Sequence, residues 1–168
     1  IDNSISDRIG REIFDMIMGE KIWNLNLGSD ESTNSEPKQP GSLLFNQYQS
    51  TENNRYIEGY LISTFTNIME NNKLTFNRLY RILCTATYPL CHLEKHTDHE
   101  NHNFETMVLY VTPEDYSDDK CGTIIDNVYV DYKFCRSVIF KSNVPHTGCA
   151  PTKVKKFPRL SIGFCYEV

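Results

Sequence analysis

The residues best equipped for chemistry are His96 and Asp98 in "KHTDH", His146 in "NVPHTG", and Arg159 with Ser161 in "PRLSIGF". On a strand, side chains at i and i+2 point to one face, so the imidazole at 96 and the carboxylate at 98 would converge on one point. A second imidazole from His146 would complete a two-histidine, one-carboxylate set. That set holds non-haem Fe(II) and leaves positions open for oxygen and a cosubstrate. Alone, H-x-D is common on surface loops, and a histidine after Pro145 is an ordinary turn residue. Arg159 and Ser161 alternate with Leu160, Ile162, Phe164 and Tyr166. Period two therefore sets Arg159, Ser161, Gly163 and Cys165 on one face and an apolar row on the other. A guanidinium on an inner face is costly unless it meets an anion, and its planar fork matches a carboxylate. The plain alternative is an edge strand whose arginine reaches water.

Four of the five histidines lie in "HLEKHTDHENHNF". Alternation puts His92 on the face of His96, where it could line the mouth of a pocket. His99 and His102 sit among Glu and Asn and read as a solvated loop. The lysines of "KVKK" (Lys153, Lys155 and Lys156) could meet an acidic substrate, but a solvated loop is the better account of them.

These groups must be held by a fold. A chain of 168 residues is one ordinary domain, able to bury a core without disulfides or a structural metal. We read residues 1–72 as a helical support with a loop and residues 73–168 as the core. "SDRIGREIFDMIMGEKIW" spaces Ile9, Ile13, Ile17 and Trp23 for a helix, with Ser6 as N-cap. "NRYIEGYLISTFTNIMENN" puts Ile57, Leu61, Phe65 and Ile68 on one helical face. Between them, residues 28–54 are rich in Ser, Asn, Gln, Pro and Gly and read as a long loop. After residue 73 come short β-branched or aromatic runs: "FNRLYRILCTATY", "TMVLYVT", "GTIID", "VYVDYKF", "RSVIFKS" and "FPRLSIGFCYEV". Helices followed only by strands imply an α+β, mainly β domain: an antiparallel sandwich or barrel with the helices packed outside.

The net charge of -5 and the pI near 5.5 count against nonspecific nucleic-acid binding. No apolar run is long enough for a membrane span, and the start lacks a signal-peptide pattern. None of the six cysteines forms a C-x-x-C pair, and most lie in apolar strand-like runs. Reduced thiols in a cytoplasm are the expectation.

Taken jointly, H-x-D, a run of strands, a distant His and then R-x-S near the C-terminus resemble the Fe(II)- and 2-oxoglutarate-dependent dioxygenases. The resemblance covers about residues 78–168 and is nearest the prolyl 4-hydroxylase branch. "TMVLYVTPEDY" is similar to that branch's T-x-x-x-Y-L-N-x-x-W strand. "CGTIID" sits where its G-G-x-L strand falls, with Cys121 for the first Gly. "YPLCHLEKHTD" resembles its Y-x-x-G lead-in to H-x-D, with Cys91 for the Gly. The segment "APTKVKKF" makes the spacing from His146 to Arg159 longer than that branch's.

The resemblance implies a double-stranded β-helix (jelly-roll, cupin-like) core. It implies His96, Asp98 and His146 as iron ligands, with Fe(II), 2-oxoglutarate and O2 as cofactors and ascorbate as a supporting reductant. Arg159 would grip the far carboxylate of 2-oxoglutarate with Ser161 assisting. Tyr110, on one strand face with Thr106, Val108 and Thr112, falls where the family has a Tyr on that carboxylate, and Tyr88 is a further pocket candidate. The implied reaction is hydroxylation of a protein, peptide or small-molecule substrate with release of succinate and CO2. A nucleic-acid demethylase of the same superfamily would want a basic face, and a jelly-roll binding module without catalysis would have no use for the ligand set. Substrate selection would fall to residues 28–54, 99–105 and 113–121.

Overall fold

The computed structural model describes residues 1–19, 24–26, 42–46, 54–89, 94–116 and 119–168; for 24–26, 42–46 and 54 it describes the backbone alone. His92, Cys91 and Trp23 lie outside the described residues, as does most of the expected loop over 28–54.

Helix α1 (Asp7–Gly19) starts where the sequence expects it. Ser6 Oγ accepts the Ile9 N–H at 3.4 Å, and Asp7 places negative charge in the first turn. The helix ends at Gly19, before Trp23. Helix α2 (Asn54–Asn71) buries Ile57, Leu61, Phe65 and Ile68, the face read from the 3.6-residue period. Phe65 packs against Phe164 and Tyr166, each 5.2 Å between ring centroids.

The strands are β1 (Asn24–Asn26), β2 (Ser42–Asn46), β3 (Arg78–Thr87), β4 (Phe104–Tyr110), β5 (Thr123–Ile125), β6 (Val128–Val130), β7 (Ser137–Lys141), β8 (His146–Gly148) and β9 (Arg159–Glu167). They form two antiparallel sheets, ordered β1-β2-β3-β9-β4-β7 and β6-β5-β8. Strand β2 corrects the reading of 28–54 as loop throughout. "SLLFN" pairs with β3 from Ser42↔Thr87 to Asn46↔Leu83. So short a run carries little signal by itself, and the exposed edge of a long strand supplies the partner that makes it a strand.

Paired residues in an antiparallel ladder share a face. Ala86, Cys84 and Ile82 on β3, Leu160, Ile162 and Phe164 on β9, and Leu109 and Met107 on β4 form the core with both helices. The opposite face carries four rows: Arg81–Cys165–Thr106, Leu83–Gly163–Val108, Thr85–Ser161–Tyr110, and Thr87 opposite Arg159. The smaller sheet meets this second face, because Arg159 and Tyr110 both hydrogen-bond Thr123 on β5. The hydrophobic core thus lies between the larger sheet and the helices, and the face bearing Arg159 lies between the two sheets. No described helix is long and apolar enough to cross a membrane. Among the described cysteines, Cys84, Cys121, Cys135, Cys149 and Cys165 are free thiols.

Gly122 leads into β5 where only glycine fits. A Cβ there would lie 1.9 Å from the Val130 carbonyl oxygen, a backbone atom that has no rotamer to yield. The Gly122→Ala variant is expected to lose about 1–3 kcal/mol or more, read from chemical denaturation. It should also loosen Arg159, whose guanidinium rests on the carbonyls of Cys121 and Gly122.

Candidate metal and carboxylate site

His96 and His146 face each other across a two-residue bridge: His96 N–H donates to His146 O at 2.9 Å and His146 N–H to His96 O at 2.8 Å. Asp98 N–H then donates to Ser142 O at 3.0 Å. The convergence read from H-x-D therefore stands on a different footing. Asp98 lies in a bend, so an isolated bridge to the β7–β8 segment, rather than a continuous strand, brings the groups together. One ligand atom from each of His96, Asp98 and His146 lies within 4.8 Å of the other two.

Both imidazoles are oriented from behind. His96 Nδ1 is 2.9 Å from Glu94 O and His146 Nδ1 is 3.0 Å from Val144 O. A carbonyl only accepts, so each Nδ1 carries the proton in the neutral ring and each Nε2 presents its lone pair. Those lone pairs face the carboxylate: His146 Nε2 is 3.4 Å and His96 Nε2 4.0 Å from Asp98 oxygens. Lone pairs turned on an anion repel one another unless a cation or a proton sits between them. Nitrogen and carboxylate ligands with outer hydrogen bonds that fix the tautomer suit a divalent transition metal. His146 is buried and Asp98 partly buried, whereas the His96 side chain is 53% exposed and marks the open side.

Asp98 is held by groups the sequence did not single out. Arg81 donates to Oδ1, and Thr106 Oγ1 donates to Oδ2 at 2.7 Å. Burial alone would raise the pKa of this carboxyl. Hydrogen bonding with His146 and Thr106, with the charges on the His146 and Arg81 side, outweighs burial and brings it down to about 2. Behind Thr106 the protons are ordered. Its hydroxyl hydrogen goes to the acceptor-only carboxylate, so Thr106 accepts from Ser142 Oγ at 2.8 Å. Ser142 in turn accepts from the Cys165 thiol at 3.6 Å. Thr106→Val deletes the bond to Asp98 at nearly constant volume and is expected to weaken divalent-metal binding about 10–100-fold, read by Mn(II) titration.

Three rows along the same face, Arg159 is 2% exposed. Its guanidinium donates to Cys121 O, to Gly122 O at 3.0 Å, to Thr123 Oγ1 at 3.1 Å and to Ser161 Oγ at 3.2 Å. It also lies over the rings of Tyr110 (5.3 Å) and Tyr132 (5.9 Å). No carboxylate pairs with it among the described residues. A guanidinium has five N–H groups, so one on Nη1 remains unused. Thr123 Oγ1 accepts from both Arg159 and Tyr110, the latter at 2.7 Å, and its own proton is left to donate. Ser161 Oγ accepts from Arg159 and is in the same position. Burial pushes the Tyr110 phenol up, which keeps it a donor. This end of the face is rich in protons, positively charged and short of acceptors, the complement of a carboxylate. Between the two ends, a Cβ added at Gly163 would meet, among the described residues, only Leu83 O, at 3.8 Å, so these leave the floor there open.

The structure thus brings together His96, Asp98 and His146 at one end and Arg159, Ser161 and Tyr110 at the other. Tyr88 follows the last residue of β3 and is 43% exposed; the register sets its neighbour Thr87 opposite Arg159. His99 stacks on Phe104 at 3.8 Å, so it is a packed residue rather than a purely solvated one, whereas His102 is exposed. The "APTKVKKF" insert is latched by two carboxylates. Asp119 accepts from Thr152 N and Oγ1 and Lys153 N, and Glu114 accepts from Lys156 N and Phe157 N.

No protein-family model and no curated protein sequence matches this chain. Solved structures do match over its whole length. A prolyl hydroxylase from Trichoplax adhaerens, in complex with a hypoxia inducible factor oxygen degradation domain peptide fragment, superposes with a TM-score of 0.65 at 14% identity. The match covers 99% of this chain and 81% of that one. The fold is that of the prolyl hydroxylases. A Pseudomonas putida prolyl-4-hydroxylase matches with a TM-score of 0.61 at 15% identity, covering 100% of this chain and 91% of that one. A viral collagen prolyl hydroxylase from Paramecium Bursaria Chlorella virus-1 gives 0.60 at 12% identity, covering 100% and 88%. The expected jelly-roll core with helices outside is therefore present, and this prolyl hydroxylase fold carries a candidate two-histidine, one-carboxylate triad.

Proposed function

We propose that the protein is an Fe(II)- and 2-oxoglutarate-dependent oxygenase that hydroxylates a peptidyl residue, prolyl in the first instance, and releases succinate and CO2. The observation that carries this reading is a metal-competent triad at one end of the sheet face and, at the other, a buried arginine with no carboxylate partner among the described residues. In this reading His96, Asp98 and His146 hold the iron, and Arg159 and Ser161 hold the far carboxylate of 2-oxoglutarate, with Tyr110 beside them. Bound there, iron and cosubstrate would supply the activation of O2 and the oxidation of a C–H bond.

The chain's own residues do the rest. Glu94 O and Val144 O fix the tautomer of each histidine. Arg81 and Thr106 keep Asp98 ionised and aimed. Two neutral imidazoles and one carboxylate leave a divalent ion with positive charge to attract an anionic cosubstrate. Buried His146 and partly buried Asp98 keep water from one side, and the exposed edge at His96 is the side from which a substrate would approach. A peptide substrate accords with the peptide bound by the Trichoplax protein and with the acidic charge balance, which disfavours nucleic acid.

The test is succinate formation from 2-oxoglutarate with Fe(II) and ascorbate, with and without proline-containing peptides. Peptide-stimulated turnover is expected from the wild type and none from His146→Ala. Full activity in that variant would overturn the triad, and stimulation by methylated DNA but not by peptides would overturn the substrate class.

A further inference from the structure

Thr87 is buried completely, and its Oγ1 has no hydrogen-bond partner among the described residues. Such orphans are rare, because a buried hydroxyl has given up water and received nothing for it. This one is not placed at random. Thr87 is the last residue of β3 and pairs with Arg159 in register, so the two side chains stand on the same interior face. The register thus brings it to the end of the face that carries the donors already counted: one N–H of Arg159 and the hydroxyl protons of Thr123 and Ser161. All of these lack an acceptor among the described residues. A fourth donor in the same corner is unexplained by the fold, which would be served better by valine at that position. It is explained by a ligand with several acceptor oxygens.

We propose that Thr87 is a cosubstrate-binding residue, its hydroxyl kept unpaired in the free protein in order to donate to a carboxylate of 2-oxoglutarate on Arg159. This rests on the reading of the site as a 2-oxoglutarate site and adds to it a residue beyond Arg159, Ser161 and Tyr110. It also gives the inference an unusual sign. Removing the hydroxyl should help the empty protein and harm the complex, whereas a structural hydroxyl would harm the empty protein when removed.

The experiment compares the wild type with Thr87→Val and Thr87→Ser. Binding of 2-oxoglutarate is measured by calorimetry with Mn(II) in place of iron, and thermal melting is measured without ligand. Thr87→Val is expected to bind about tenfold more weakly while melting at or above the wild-type temperature, and Thr87→Ser to bind within about twofold of wild type. Should Thr87→Val fail to fold, Thr87→Ala against Thr87→Ser carries the same comparison. Wild-type affinity in the variant lacking the hydroxyl, or a clear loss of ligand-free stability in soluble Thr87→Val, would overturn the role of Thr87 and leave the site reading intact. A wild-type protein that binds no 2-oxoglutarate would overturn both.

Discussion

Asp98→Ala is expected to abolish stoichiometric divalent-metal binding and to reduce any 2-oxoglutarate turnover to background. Asp98 contributes the only carboxylate of the triad. Without it, two neutral imidazoles remain, His96 largely exposed, and neither could hold a divalent ion against solvent. The fold should survive. Arg81 is partly exposed and can turn to water, and the Thr106 hydroxyl keeps its bond with Ser142. Metal content after dialysis against Mn(II), with circular dichroism to check the fold, separates the two effects. Metal bound at wild-type stoichiometry would remove the triad from consideration. Removing metal from the wild type by chelation should lower its melting temperature, because an ion bound only to the native state stabilises it by mass action. The same chelator should leave Asp98→Ala unmoved.

Arg159→Met is expected to act on both stability and binding. The substitution preserves length and apolar packing but withdraws four hydrogen bonds to Cys121 O, Gly122 O, Thr123 Oγ1 and Ser161 Oγ. Two of these acceptors are backbone carbonyls at the edge of the smaller sheet, and orphaned buried acceptors cost about 1–3 kcal/mol each. Removing the buried, unpaired charge offsets part of that, so a net loss of about 2–3 kcal/mol is expected from urea denaturation. The larger effect is on the anion: a buried charge-assisted site without its cation should lose 2-oxoglutarate affinity about a hundredfold or more. Arg159→Lys should fall between the two, since an ammonium keeps the charge but cannot span the carbonyls of Cys121 and Gly122 and a carboxylate together. Undiminished 2-oxoglutarate binding by folded Arg159→Met would mean that the arginine is a strut between the sheets and nothing more.

Much of the site is legible in the residues, because it depends on period. Alternation along "PRLSIGF" sends Arg159 and Ser161 to one face and Leu160, Ile162 and Phe164 to the other, and the structure buries the latter in the helix-facing core. The helical faces of Ile57, Leu61, Phe65 and Ile68 and of Ile13 and Ile17 are read in the same way. His96, Asp98 and His146 are visible as residue types whose chemistry is scarce. Each of these readings needs only the local repeat of a helix or strand and the rule that apolar faces turn inward.

What only the tertiary structure decided is which side chain meets which across strands far apart in sequence. That Arg81 and Thr106 grip Asp98, that Ser142 and Cys165 stand behind Thr106, and that Thr123 rather than another β5 residue receives Arg159 all follow from ladder register. So does the pairing of Thr87, and not Tyr88, with Arg159, and so does the strand "SLLFN" in a stretch of polar sequence. A shift of one residue in any ladder would exchange the two faces and replace every one of these partners. The sequence by itself therefore determines the helices, most of the strands and the reactive side chains they bear. The mutual arrangement of those side chains is set by non-local backbone pairing, whose register is fixed when two sheets and two helices close on a common core.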